Sequence, residues 1–297
     1  MTDRLPTTTL RLGLPSGSLQ QSTIELFGRA GYRINIAERS VFPRVDDDKL
    51  SAVFFRAQEI SRYVVDNIID CGLTGYDYVV ENGNEKDVIE ICELTYSRAS
   101  SNPYRWVLAV PDESPIRKPE DLQGKIIATE LVNTTRRWFA AKNINVTVEF
   151  SWGTTEIKAR LLDAIVEGTE TGNSLRANNL RIVDTLLTST TRFVSSKQAW
   201  DIPWKREKME NIAMLLKGAI EAKAKVGLKM NVPEDRLAEV VGFLPSEKSP
   251  TVSRLADKAW VAVEVILEEK QERELIPRLK RAGATGIITY PLNKVIP

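Results

Sequence analysis

The chain has 297 residues, 42% of them apolar and 27% charged, which excludes wholesale disorder, a collagen-like repeat and a small disulfide scaffold. Its 41 Lys and Arg balance 40 Asp and Glu, so it lacks the basic excess of a dedicated nucleic-acid binder. Histidine is absent. That removes Ser/His/Asp and Cys/His catalysis and most zinc catalysis, and leaves carboxylates, hydroxyls, Arg, Lys, backbone amides or an oxygen-bound metal to carry any chemistry.

In chain order, Leu10 to Leu14 alternates as a strand, Pro15-Ser16-Gly17-Ser18 breaks it, and Leu19, Thr23, Leu26, Phe27 and Ala30 recur at helical spacing up to a stop at Gly31. Tyr32 to Ile36 reads as the next strand. From Arg56 to Gly83 the theme repeats: a helical stripe of Ile60, Tyr63, Val64 and Ile68, a short strand Cys71 to Thr74, then Gly75 and Asp77 at the turn. Arg105 to Val110 is a strong strand, and a proline cluster after it places a domain crossing near Pro111. A strand in LQGKIIAT, a helix over Asn133 to Lys142, a strand over Asn145 to Phe150 and a helix over Thr155 to Leu162 follow. Asp163 to Leu186 reads as strand, Gly/Thr-rich loop, helical turn and strand. This alternation predicts α/β domains with mainly parallel sheets.

Lys205 to Lys223 is a long amphipathic helix with Met209, Ile212, Ala213, Leu216 and Ala219 on one face. Beyond it the rhythm changes. Val226 to Val232 is a strand, Pro233 to Leu244 a helix opened by proline, Ser249 to Leu255 and Trp260 to Leu267 are strands, Gln271 to Ala282 is a helix ended by Gly283, and Gly286 to Leu292 is a last strand. The order βαββαβ is the ferredoxin-like signature. No apolar run approaches the ~20 residues of a membrane-spanning helix, and the opening MTDRLPTTTLRLGLP lacks the apolar core of a signal peptide. Cys71 and Cys92 form no CxxC pair. The expectation is a cytoplasmic protein with no membrane or nucleic-acid partner.

The segment AIVEGTETGNSLRAN, Ala164 to Asn178, carries the most chemistry. An apolar strand delivers Glu167 to a loop of Gly168, Thr169, Glu170, Thr171, Gly172, Asn173 and Ser174. Glycines let backbone amides converge on an anion, and the hydroxyls add donors. Two carboxylates on the rim match the hydroxyls of a ribose, so the pattern suits a phosphorylated sugar; it equally describes a solvated strand-to-helix turn. The turn at Ser16 and Gly17 opens a helix and offers amides to an anion. Asp77 stands where a parallel strand ends, a usual ligand position, or else caps the next helix. Trp106, Trp138 and Trp152 read as core, and Asp46-Asp47-Asp48 as an acidic turn.

These residues resemble the ATP phosphoribosyltransferase family, the first enzyme of histidine biosynthesis, in its long form. LGLPSGSLQQSTIELFGRAGYRI is similar to the family's opening, RAQEISRYVVDNIIDCGLTGYD to its second block, and DAIVEGTETGNSLRANNLRIVD to its phosphoribosyl-pyrophosphate (PRPP) loop. SPTVSRLADKAWVAVEVILEE and RAGATGIITYPLNKVI resemble its C-terminal regulatory domain, which the short form lacks. The resemblance implies two periplasmic-binding-protein-like α/β domains around a cleft plus a ferredoxin-like regulatory domain. It divides the chain into 1–110 with a return at about 181–204, 111–180 with the PRPP loop, a linking helix over 205–224, and 225–297. Arg181 to Leu186 would make the return to the first domain.

The implied reaction joins ATP and PRPP, giving N1-(5-phosphoribosyl)-ATP and pyrophosphate, with Mg2+ as cofactor, histidine as feedback inhibitor and a homo-oligomer, dimer or hexamer, as the working form. By position, Glu167 and Glu170 face the ribose hydroxyls, and Thr169, Thr171, Gly172, Asn173 and Ser174 hold the 5-phosphate. Ser16, Gly17, Arg56 and Asp77 line the cleft near ATP or pyrophosphate. Ser249, Thr251 and the turn Ala282, Gly283, Ala284 lie at the histidine site. The metal ligands are not named by the resemblance. Two positions depart from the family pattern: Ser16 stands where Lys is common, and Gly168 where a bulkier residue is expected, which predicts a looser loop. A non-catalytic sensor on the same cleft, or a phosphoribosyltransferase for another base, also fits the residues.

Overall fold

The computed structural model describes residues 8–36, 41–96, 104–245 and 249–296. They form two compact units, residues 1–213 and 214–297. In the first unit the chain runs through β1 (Leu10–Pro15), α1 (Gln20–Ala30), a two-stranded ribbon of β2 (Ile34–Asn35) and β3 (Arg44–Val45), β4 (Leu50–Phe55), α2 (Ala57–Val65), β5 (Cys71–Gly75), α3 (Tyr76–Glu81) and β6 (Val88–Leu94). It continues with β7 (Tyr104–Pro111), β8 (Ile126–Thr129), α4 (Val132–Ala141), β9 (Thr147–Phe150), α5 (Thr155–Lys158), β10 (Ala164–Thr169), α6 (Asn173–Ala177), β11 (Leu180–Ser189), β12 (Thr191–Ser196), α7 (Lys197–Trp200) and the start of α8 (Pro203–Glu221), which runs on into the second unit.

Two five-stranded sheets result, ordered β4-β1-β5-β12-β6 and β11-β7-β10-β8-β9. Each has a parallel core, β4-β1-β5 in one and β10-β8-β9 in the other, with antiparallel strands beside it. The expectation of mainly parallel sheets therefore holds only for these three-strand segments. Buried runs mark them: Leu10, Leu12 and Leu14 of β1, and Ala164, Ile165 and Val166 of β10, are fully covered, as strands packed on both faces must be.

Two sequence expectations are corrected here. The first-to-second sheet crossing precedes β7, because β7 pairs antiparallel with β10 and β11 rather than joining the first sheet. The strand expected to return, Arg181 to Leu186, stays in the second sheet as part of β11, and β12 makes the return by pairing with β5 and β6. Both corrections have one cause: a strand's local pattern shows that it pairs, and partners far along the chain decide with what. The helix expected over Thr155 to Leu162 shrinks to α5, since Ile157 and Leu161 are exposed and give it no apolar face to bury.

The second unit contains β13 (Lys225–Pro233), α9 (Leu237–Val241), β14 (Thr251–Arg254), β15 (Trp260–Glu268), α10 (Glu272–Arg281) and β16 (Thr285–Pro291). Its sheet is antiparallel throughout, ordered β14-β15-β13-β16. With the element order βαββαβ this is the ferredoxin-like arrangement that the sequence rhythm predicted. Leu228, Met230, Val263 and Val265 from the inner face of the sheet pack with Val240, Leu275 and Leu279 from the helices. Pro233 ends β13 instead of opening the helix; a short 3-10 turn, Glu234–Arg236, intervenes before α9. Among the described residues no helix is long and apolar enough to cross a membrane.

Candidate active site

The first unit holds a cavity of about 490 Å³, within the usual range for small-molecule sites. Its lining gathers around the carboxyl ends of parallel strands, where open α/β sheets bind ligands. Ser16 and Gly17 follow β1, Arg56 and Gln58 follow β4, Asp77 and Tyr78 follow β5, and Glu130 follows β8. Tyr104, Trp152 and Glu170 complete the wall from the second sheet's side. Of the residues expected in the cleft, Ser16, Gly17, Arg56, Asp77 and Glu170 are thus brought together. The Arg56 guanidinium lies 5.7 Å from the centroid of the Trp152 ring. Trp152 is 63% exposed, so its expected place in the core is corrected: it stands at a cavity wall.

Asp77 lines the cavity but has no oxygen to spare. Its Oδ2 accepts the Trp106 indole N–H at 2.6 Å, and its Oδ1 accepts the Ser189 hydroxyl at 2.9 Å and the Tyr78 amide at 3.1 Å. The Asp77 amide in turn donates to Ser189 Oγ at 3.0 Å. Burial pushes this carboxyl above the usual aspartate range, and the bonds from Trp106 and Ser189 offset part of that rise. Trp106 on β7 and Ser189 on β11 belong to the second sheet, so Asp77 rivets α3 to it. Gly75 makes the geometry possible: a Cβ there would sit 2.0 Å from Asp77 Oδ1.

The acidic loop lies beside the cavity, with Glu170 alone among its residues in the lining. Glu167, on β10, accepts the Gly168 amide at 3.1 Å. Burial raises its pKa above the usual glutamate range; bonds from Gly168 and Thr155 lower it, and the charges of Glu156 and Glu130 raise it again. The loop is closed by its own hydroxyls. Thr169 Oγ1 accepts the Gly172 amide at 2.7 Å, and Thr171 Oγ1 accepts the Asn173 amide at 3.4 Å. A hydroxyl that accepts keeps its proton to donate; Thr171 is exposed and can offer it to an anion, whereas Thr169 is buried. Ser174 Oγ donates to Glu156 at 2.6 Å, and Arg176 holds Asn173 Oδ1 and the Thr171 carbonyl.

A Cβ at 168 would fall 2.2 Å from Tyr104 Cε1, so the space that a bulkier residue would take is occupied by the Tyr104 ring. Burial pushes the Tyr104 hydroxyl above the usual tyrosine range, with Glu167, Asp77 and Glu130 adding to the rise. Tyr104 and Glu130 are among the site residues that sequence reasoning missed, with Gln58, Tyr78 and Ser189. Glu130 carried a signal, an acid directly after the strand IIAT, matching the position that drew attention to Asp77; Tyr104 carried none.

In the second unit, Ser249 and Thr251 are exposed, Thr251 on the edge strand β14. Ala282 and Ala284 are core residues, so only the backbone of the turn around Gly283, with φ of 90°, is open to a ligand. β14 and β16 are opposite edges of the sheet, three strand spacings or about 14 Å apart. Within one chain Thr251 and the 282–284 turn therefore do not converge.

Comparison with known proteins fits this geometry. The family model described as ATP phosphoribosyltransferase matches residues 56–228, and the model described as HisG, C-terminal domain, matches residues 222–294. The ATP phosphoribosyltransferase of Chlorobaculum parvum is 56% identical over 288 residues, 97% of each chain. That of Thermodesulfovibrio yellowstonii is 55% identical over 97% of this chain and 98% of its own. Among solved structures, the ATP phosphoribosyl transferase (HisG:HisZ) complex from Thermotoga maritima aligns with 70% of this chain and 99% of that one, at 25% identity and a TM-score of 0.60.

Proposed function

The chain belongs to the ATP phosphoribosyltransferase family in its long form, and from that premise we propose how its residues divide the work. The loop Glu167 to Ser174 holds PRPP: Glu167 and Glu170 accept the ribose hydroxyls, and Thr169, Thr171, Gly172, Asn173 and Ser174 surround the 5-phosphate. The cavity lined by Ser16, Gly17 and Arg56 takes ATP, with Arg56 as the cation facing phosphate. Asp77 is reassigned from ligand contact to support, since its oxygens are already engaged. The observation that carries this reading is the loop closed by its own threonine hydroxyls as acceptors, with that of Thr171 exposed and its proton free to serve an anion.

Adenine N1 attacks the anomeric carbon and pyrophosphate leaves with the bonding pair. The nucleophile has a free lone pair, which suits a chain without histidine. Alignment of the substrates and stabilisation of an oxocarbenium-like sugar by nearby carboxylates then supply the catalysis. Among the described residues no group of three or more Cys, Asp or Glu is placed to hold a metal ion. Mg2+ in this reading arrives on the substrate polyphosphates, the usual mode for an ion that keeps several of its waters.

Histidine regulates through the second unit. The edge strand that carries Thr251 and the 282–284 turn lie too far apart for one amino acid to bridge, so a second copy of the chain completes the site, in keeping with a homo-oligomer. Formation of phosphoribosyl-ATP from ATP, PRPP and Mg2+, followed by ultraviolet absorbance, tests the assignment. Thr171→Ala is expected to lower kcat/KM for PRPP by roughly 1–3 kcal/mol; unchanged kinetics would remove the loop from the site. Thr251→Ala is expected to relieve histidine inhibition at unchanged kcat, and equal inhibition of both proteins would refute that placement.

A further inference from the structure

Three acids line the cavity: Asp77, Glu130 and Glu170. Asp77 is buried with both oxygens engaged, by Trp106 and Ser189, and Glu170 belongs to the sugar loop. Glu130 has a different arrangement. Its Oε1 accepts the Gln58 side-chain amide at 2.7 Å and the Tyr78 hydroxyl at 3.2 Å. Among the described residues none donates to its Oε2. Gln58 on α2 and Tyr78 on α3 come from the first-sheet side, while Glu130 follows β8 of the second. The carboxylate of this lining residue is thus held through Oε1 by two donors from across the cavity, and its Oε2 has no hydrogen-bond partner among the described residues. Tyr78, Tyr104 and Trp152 add aromatic surface to the lining of the same cavity.

Resting on the reading above, we propose that Glu130 is a specificity-determining residue that accepts the exocyclic N6–H of adenine, with Gln58 and Tyr78 as its positioning residues. The chemistry favours a carboxylate there. As the N1 lone pair forms the bond to the anomeric carbon, the bond to pyrophosphate breaks and its electron pair leaves with that group. The adenine ring gains positive charge, shared between N1 and N6, and the proton stays on N6. N6–H is therefore a stronger donor in the transition state than in bound ATP, so Glu130 stabilises the former more. A 6-oxo purine presents a carbonyl at the same place, and acceptor then meets acceptor.

The test compares wild type, Glu130→Gln and Glu130→Ala for turnover and for direct binding of ATP and ITP by calorimetry. In Glu130→Ala, kcat/KM for ATP is expected to fall on the order of 10²-fold, with KM for PRPP unchanged. In Glu130→Gln, whose amide donates to a 6-oxo group, ITP is expected to bind about tenfold better relative to ATP. A merely structural role would not shift that ratio, and the binding arm reads even if activity is low. Wild-type kcat/KM in both variants, or an unchanged ATP-to-ITP ratio, overturns the proposal alone. Absence of phosphoribosyl-ATP from the wild-type enzyme overturns the functional reading and this proposal together.

Discussion

The corner at Gly75 to Asp77 and the corner at Glu167 to Thr171 are built alike. Each ends a strand of a parallel core, turns through a glycine-containing segment, and carries an acid whose pKa burial pushes up. Their partners separate them. Asp77 is met by Trp106 and Ser189, 29 and 112 residues away and both on the other sheet, whereas Glu167 is met by the amide of the next residue and by Thr155 on the helix leading into its own strand. Asp77, buried and with both oxygens engaged across the sheets, is part of the frame; Glu167, held by local donors, is the one of this pair left to a substrate.

Substitutions that separate frame from chemistry sharpen this contrast. The largest effect is expected for Asp77→Ala, which leaves the Trp106 N–H and the Ser189 hydroxyl unpaired in the interior. Unfolding free energy should drop by roughly 2–4 kcal/mol, measured in urea; a drop confined to activity would break the contrast. Glu167→Gln should do the reverse, costing about 1.5–3 kcal/mol in kcat/KM for PRPP while stability changes by less than about 1 kcal/mol.

The smallest effect is a slope. The folded pKa of Asp77 is raised, so between the ordinary aspartate value and the raised one the folded state holds a proton that the unfolded state has lost. Stability from this group must therefore fall as pH rises through that window. Asp77→Asn should remove that fall, which urea titrations of both proteins at a series of pH values would show as a diverging difference. Asp70 serves as the opposite-signed control. Burial raises its pKa, but bonds from Arg11 and Lys205 outweigh that and leave it lowered. Its contribution is present above the unfolded value and lost as pH falls through the folded one.

Strands, helices and the ferredoxin-like order were legible because periodicity and punctuation are local. The stripe Met209, Ile212, Ala213, Leu216 and Ala219 on α8 is buried as its spacing required. Sheet membership was not legible for β7 and β11, because antiparallel partners are chosen over distances that no window of sequence spans. The same limit applies to the site. Residues 167 to 174 announce themselves by composition, and Glu130 by its place after a strand, but the role of Asp77 is set by a tryptophan and a serine that no local pattern connects to it.

Gly168 has no side chain and does not line the cavity, yet it fixes the cavity's wall. A Cβ there would lie 2.2 Å from Tyr104 Cε1, so the ring would have to shift. The two positions are consequently coupled: a side chain added at 168 needs a smaller or re-aimed residue at 104.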